Sequence, residues 1–368
     1  MNPFLRQFTP EVLLPRLQDV LAGPGTGIAK VLHLGVGNMH GGIETTLVNI
    51  AQRRNLMPRV DTNIAICFAG KLQQNLIDAG ITPHLLGPIR FRYPWTIWRA
   101  RRALARLLDK LNPDIVISHS CWTQAALGPT VRRAGVKLVT FMHSTASHSW
   151  FEWLASFTRP HHVVANSRFT ASTLGKLFPG IPTTIIFEPV CDIPELEDNA
   201  KTRAIMRAAL GCPETRKVIL MAARFDPYKG HGLLLDALAR LDPSLDWECW
   251  IVGGAQQPAE QALELKIKAQ AEHLKLANRL RFLGHRGDVL YLCASADLFC
   301  QPNISPEPFG HVFVEAQAMG CPVVTTAMGG PLENVEPGGR NRLVARPDAA
   351  LVAEALEGLL ASREPVGT

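Results

Sequence analysis

Short apolar runs recur along the chain, and each is followed by a longer stretch with helical spacing. KVLHLGV (30–36), TNIAICF (62–68), PDIVISH (113–119), VKLVTFM (136–142) and HHVVANS (161–167) form a first series. KVILMAA (217–223), WECWIVG (247–253), RLRFLG (279–284), ADLFCQP (296–302) and CPVVTT (321–326) form a second. The runs are apolar at odd and even positions alike, which predicts strands covered on both faces, as in a parallel sheet. Helical periodicity in residues 43–54, 94–111, 258–276 and 348–361 supplies the covering layers. Strand and helix in alternation predict βα units. The pattern restarts near residue 217. Between the series, FEPVCDIPELEDNAKT (187–202) is acidic, carries prolines and has no clear period. The expected fold class is therefore α/β, with two Rossmann-like, doubly wound domains. Residues 1–190 and 203–368 are the expected domains, joined by a linker at 191–202. Ligands of such sheets gather at the carboxyl ends of the strands, so a central cleft between the domains is the expected active site.

Composition narrows the class. A chain of 368 residues suits two domains, and 47% hydrophobic against 19% charged residues excludes a disordered chain. No apolar run is long enough to predict a membrane span, and the opening MNPFLRQFTPEVLLPR lacks the pattern of a signal peptide. The eight cysteines form no C-x-x-C pair and read as free thiols of a reducing cytoplasm. The net charge of +6 is unevenly spread: residues 1–190 carry 20 Lys and Arg against 9 Asp and Glu, and the rest carry 18 against 23. A basic first half and an acidic second half suggest different partners.

Three segments carry candidate chemistry. GVGNMHGGIETTLVNIA (35–51) places Gly35, Gly37, Gly41 and Gly42 between a strand and a helix, where main-chain N–H groups can approach a phosphate. His40 replaces the last glycine of a dinucleotide fingerprint, and the second strand offers no ribose-binding acid, so a nicotinamide enzyme is disfavoured. MAARFDPYKGHG (221–232) sets Arg224 and Lys229 just past a strand end, where two cations can neutralise a diphosphate leaving group. SPEPFGHVFVEAQAM (305–319) puts Glu307 in a proline-bounded loop and Glu315 about one turn into a helix. Gly310, His311 and Val312 open that helix, and its first N–H groups form an anion or hydroxyl site. A lone buried carboxylate at Glu315 is costly unless it accepts strong hydrogen bonds, and a ribose diol would supply them.

The spacing of Glu307 and Glu315 resembles the E-x7-E motif of retaining GT-B glycosyltransferases of family 4. GGIETTL is similar to that family's glycine loop, ARFDPYKG to its Arg…Lys-Gly element, and GGPLENV (329–335) to the segment that commonly follows. The matches keep family order over nearly the whole chain. The resemblance implies a GT-B fold and transfer of a sugar from a nucleotide-diphosphate sugar to an acceptor hydroxyl, with retention. It implies that Gly41 and Gly42 approach the diphosphate and the acceptor, that Arg224 and Lys229 hold the phosphates, and that Glu307 meets the donor sugar. Glu315 would take the ribose, amides near Gly310 to Val312 the sugar and phosphate, and His143 in VTFMHST the transferred sugar near the reacting carbon. One departure is PGGRNRLVARPD, where the family often has Asn-Gly.

No H-E-x-x-H or D-x-D is present, so the expected chemistry uses neither a bound metal nor a cofactor. His119 also ends a strand, and adjacent His161 and His162 cannot share one face as a metal pair would. RFRYPWTIWRARRALARLLDKL (90–111) puts Leu104, Leu107, Leu108 and Leu111 on one face and Arg99, Arg102, Arg106 and Lys110 opposite, with Trp95 among them. That face suits an anionic membrane surface, and equally an ordinary charged outer face. Nucleic acid is disfavoured because no reading motif accompanies the patch. The partners expected are a nucleotide-sugar and a hydroxyl acceptor, for which a lipid-linked molecule fits the basic half. The expected location is the cytoplasm, with a peripheral place on the membrane's inner face. An epimerase of the same fold and a non-catalytic nucleotide-sugar binder remain the alternatives.

Overall fold

The computed structural model describes residues 2–37, 41–147, 149–196, 198–255 and 257–361. His40 lies outside them. Gln7–Cys191 forms one compact unit, and residues 2–6 together with 192–361 form the other.

The first unit is built on a seven-stranded sheet. Its strands are β1 (Ala29–Gly35), β2 (Val60–Ile66), β3 (His84–Leu85), β4 (Ile115–Ser118), β5 (Lys137–Met142), β6 (His162–Ala165) and β7 (Thr183–Ile185). The second carries β8 (Lys217–Ala222), β9 (Trp247–Val252), β10 (Leu280–Gly284), β11 (Leu298–Gln301), β12 (Val323–Thr326) and β13 (Arg342–Val344). The orders are β3-β2-β1-β4-β5-β6-β7 and β10-β9-β8-β11-β12-β13. The pairings are parallel, for example Val31↔Ile115 and Phe299↔Val323. Strand order reverses between β1 and β4 and between β8 and β11, and the loops leaving those strands border the crevice where doubly wound folds bind ligands.

Every strand read from the sequence is present. The sequence reading lacks β3, β7 and β13, which are two or three residues long and lie at or next to a sheet edge. The central strands are apolar on both faces because both are covered. In the second unit Ile219, Met221 and Ile251 pack into one layer, and Val218, Leu220 and Trp250 into the other. In the first, Leu32, Leu34 and Val116 face one layer, and Ile64, Ile66 and Leu47 another.

The stretch read as a linker is partly built into the second unit. Helix Asn199–Ala209 begins inside it, with the Asp198 carboxylate accepting from Lys201 N at 2.9 Å as a cap. Arg207 on that helix is fully buried. It donates to the Asp297 carboxylate at 2.7 Å and to the Ser295 and Arg216 carbonyls at 3.0 and 2.6 Å. Asp297 also accepts from Arg203 at 2.9 Å and Val218 N at 2.7 Å, so one carboxylate ties helix to sheet. The basic helix is Pro94–Leu111, with Ala100, Leu104, Leu107 and Leu108 buried and Arg99, Arg102, Arg106 and Lys110 exposed. Among the described residues no helix is long and apolar enough to cross a membrane.

Candidate active site

In the second unit the site grows from the loop after β8. The turn Pro227–Lys229 ends at Gly230, whose φ is +81°. A Cβ there would lie 1.8 Å from the Pro302 carbonyl oxygen, just past β11. Only glycine lets the two loops close to this distance. The approach sets Lys229 Nζ 2.6 Å from Glu307 Oε2, with the side chains 14% and 7% exposed. Gln301 Nε2 and Asn303 Nδ2 approach the same oxygen at 3.4 and 3.3 Å. Burial alone would lower the Lys229 ammonium, but the Glu307 carboxylate and Tyr228 outweigh it and hold the pKa above the usual lysine value. The lysine stays charged because its partner is beside it.

Glu307 is fixed from behind by the glycine pair of GGPLENV. Gly330 N donates to the Glu307 carbonyl at 2.7 Å, and Asn334 Nδ2 donates to the Phe309 carbonyl at 2.6 Å. Gly310, at φ +85°, then turns the chain into helix His311–Ala318; a Cβ there would meet the Phe313 ring at 2.6 Å. The start of a helix leaves its first N–H groups without intrahelical acceptors, and these belong to the His311 and Val312 turn. Glu315 sits one turn further, partly buried, and its carboxylate forms no hydrogen bond or ion pair among the described residues. Burial raises its carboxyl pKa, against a smaller pull from His311. A carboxylate desolvated and left without a donor is placed to receive one.

Arg224 lies at the other end of the β8 turn. Its guanidinium is 3.0 Å from Glu260 and 3.6 Å from Asp226 and does not pair with the acids of the E-x7-E stretch. Gly253 packs behind it, where a Cβ would be 1.9 Å from the Ala223 carbonyl oxygen. Gly254 packs on His285, with 3.2 Å between a Cβ at Gly254 and that of His285.

In the first unit, Gly41, Gly42 and His143 lie at the carboxyl ends of β1 and β5. Gly41 precedes helix Gly42–Gln52, whose exposed start presents main-chain N–H groups; Glu44 is buried in its first turn. His143 follows β5 directly. Its Nδ1 pairs with Glu188, and its Nε2 is 3.0 Å from His119 Nδ1. Asn166 Nδ2 donates to the His143 carbonyl at 3.1 Å. The sequence-derived residues thus fall into two groups: Arg224, Lys229, Glu307, Gly310, His311, Val312 and Glu315 in the second unit, and Gly41, Gly42 and His143 in the first.

With this geometry in place, comparison with known proteins decides the family. Residues 40–190 match the family model described as Glycosyltransferase Family 4, and residues 202–366 match Glycosyl transferases group 1. The chain belongs to the group 1 glycosyltransferases. Its fold is GT-B. It aligns with a crystal structure of Anabaena Alr3699/HepE in complex with UDP and glucose, at a TM-score of 0.78 and 25% identity over 90% of this chain and 89% of that one. A structure of WaaG, a glycosyltransferase involved in lipopolysaccharide biosynthesis, shares the fold at a TM-score of 0.66 and 18% identity, over 90% of each chain. A D-inositol 3-phosphate glycosyltransferase of Salinispora arenicola is 31% identical over 67% of this chain and 61% of its own length. A phosphatidyl-myo-inositol mannosyltransferase of Mycobacterium leprae is 31% identical over 66% and 61%. The chain therefore spans about three-fifths of the length of these curated relatives.

Several residues of the candidate site escape sequence reasoning. Gln301, Asn303 and Asn334 act on Glu307 or its loop but are ordinary amides in the sequence. Glu188 lies in the acidic stretch from which the linker was read, and only its distance from the other acids of that stretch could have marked it. His33 stands between two leucines and looks like an accident of a buried strand. Among the described residues no group of three or more His, Cys, Asp and Glu is arranged to hold a metal ion.

Proposed function

We propose that this protein transfers a sugar from a nucleotide-diphosphate sugar to an acceptor hydroxyl, with retention at the anomeric carbon. One observation carries the reading: Lys229 clamped on Glu307 beside an unpartnered Glu315 and a helix start, all at the carboxyl ends of β8 and β11. Bond breaking leaves negative charge on the diphosphate and positive character on the sugar. Lys229, Arg224 and the amides of Gly310 to Val312 answer the first charge, and the Glu307 carboxylate and the sugar-facing His143 answer the second. Gly41 and Gly42 are assigned to the diphosphate and acceptor, and Glu315 accepts from the ribose diol. Because Lys229 already pairs with Glu307, an arriving phosphate shares the ammonium, and Glu307 is freed toward the sugar as charge is redistributed. The retaining route is a front-face displacement in which the leaving phosphate takes the acceptor's proton. No side chain here is assigned as a covalent nucleophile, and neither metal nor cofactor is assigned a part.

The acceptor side is proposed from the first unit. A cavity of about 490 Å³ runs along helix Pro94–Leu111, lined by Leu86, Thr96, Trp98, Arg99, Arg102 and Arg106. Trp95 and Trp98 are 59% and 57% exposed, and Arg102 lies 4.6 Å from the Trp98 ring centre. Cationic and aromatic groups on one face suit an anionic membrane surface and a lipid-linked acceptor. The relatives named for inositol phosphate and phosphatidyl-inositol substrates support an acceptor of that polar, phosphate-bearing kind.

The test is a donor panel read by release of nucleoside diphosphate in the presence of candidate acceptors. One donor is expected to be consumed, with product retaining its anomeric configuration. Lys229→Ala is expected to lose about 2–4 kcal/mol of transition-state stabilisation. Turnover of that variant at the wild-type rate would remove Lys229 from the reaction, and an isomerised donor without acceptor would favour an epimerase.

A further inference from the structure

Four polar side chains of the first unit meet end to end, and the transfer reaction as proposed uses only one of them. Glu188, beyond β7, pairs with His143 Nδ1. His143 Nε2 is 3.0 Å from His119 Nδ1, and His119 Nε2 is 2.9 Å from His33 Nδ1. The rings stack, with centroids 5.3 and 5.2 Å apart, and Phe141 lies 4.3 Å from His143. His33 is fully buried on β1 between Ile64 and Ile117, and its Nε2 has no partner among the described residues.

Such a chain can run in only one direction when its rings are neutral. An ionised carboxylate accepts and never donates, so His143 Nδ1 must carry the proton. A neutral imidazole then has only an acceptor left at Nε2, which obliges His119 Nδ1 to donate. The same step passes to His33, leaving a bare lone pair at its Nε2. Either direction leaves His33 Nε2 without a partner, as a bare lone pair or as a stranded N–H, so the Glu188 end selects the arrangement. Burial supports it by holding His33 neutral, with its pKa lowered to about 4, and His119 well below the usual range. Asn49, on helix Gly42–Gln52, reaches the Pro189 carbonyl next to Glu188 at 3.4 Å.

We infer that Glu188 is a positioning residue, an acceptor that holds His143 in its Nδ1–H form with both ring nitrogens engaged. His143 then serves turnover through where its ring and main chain sit, and not by exchanging a proton with substrate. This consequence rests on the transfer reading above; the tautomer pattern does not.

The experiment uses the full chain labelled with ¹⁵N-histidine. Long-range ¹H–¹⁵N spectra without substrate are expected to show Nδ1–H for His33, His119 and His143, although imidazole in water favours Nε2–H. An Nε2–H signature at His33 or His119 would overturn the inference, whatever the enzyme transfers. With the donor found above, Glu188→Ala is expected to lower kcat about tenfold or more with little change in KM. Glu188→Gln keeps an acceptor oxygen and is expected to restore most of kcat and the wild-type tautomers. If the glutamine variant is as impaired as the alanine variant, Glu188 acts as a counter-ion, and if both turn over normally, it positions nothing.

Discussion

Single residues carry the sharpest consequences, because several titratable groups sit where the fold, and not water, decides their state. His33 is one. Its pKa falls from the ordinary 6.5 to about 4 through burial. Between those values the unfolded chain binds a proton that the native chain does not, so stability rises with pH. The contribution is complete above the unfolded value and is lost as pH falls toward 4. A shift of this size corresponds to about 3 kcal/mol at most. Urea unfolding of the first unit, followed from about pH 7.5 to pH 5, is expected to show this decline, and His33→Asn is expected to flatten it. Asparagine keeps a donor near the Nδ1 position while removing the titrating ring. An unchanged decline in that variant would mean that another group carries the acid sensitivity. Residue identity alone exposed Arg224, Lys229, Glu307 and Glu315, because acids and cations at strand ends are conspicuous. It could not show that Lys229 and Glu307 are partners, since the contact depends on two loops pressed together at Gly230 and Pro302.

Elements were more legible than residues wherever they were buried on both sides. The central strands announced themselves by unbroken apolar runs, and helix Pro94–Leu111 by its period. Strands β3, β7 and β13 did not, because a strand of two or three residues is too short to have a pattern. Helix Asn199–Ala209 was hidden for another reason: its buried residue is Arg207, while Ile205 lies exposed and Met206 only partly packed, so its anchoring is largely ionic. That anchoring makes a prediction. Arg207→Ala leaves the Asp297 carboxylate short of a cation and four carbonyls short of a donor, and should cost about 3–5 kcal/mol of stability. Denaturant unfolding of the second unit measures it. A loss below about 1 kcal/mol, the range of an exposed pair, would show that Arg203 alone holds Asp297. The loop pair at Gly230 is equally specific. Gly230→Ala forces a positive φ on a side chain aimed at the Pro302 carbonyl, and should destabilise by at least about 1–3 kcal/mol while loosening Lys229 from Glu307. The pKa of Lys229, read by NMR of its Nζ, would then fall as its carboxylate partner recedes.

At the scale of the whole molecule, two Rossmann-like units divide the work. The second holds Arg224, Lys229 and the E-x7-E acids, and the first holds Gly41 and Gly42, the histidine chain and the basic helix. The uneven charge read from the sequence follows that division. Flotation with vesicles is expected to recover the protein with anionic lipid and not with neutral lipid alone, with Arg99→Glu and Arg102→Glu together abolishing recovery. Recovery independent of lipid charge would return the helix to the role of a plain outer layer. The account as a whole rests on a nucleoside diphosphate seated against Lys229 with its ribose on Glu315. Calorimetric titration of ribo- and 2′-deoxyribonucleoside diphosphates into wild type and Glu315→Gln tests this most directly. Wild type is expected to bind the ribo form about 10- to 100-fold more tightly than the deoxy form, and Glu315→Gln to bind both at the weaker level. Equal affinity of wild type for the two forms, or an undiminished preference in Glu315→Gln, would contradict it.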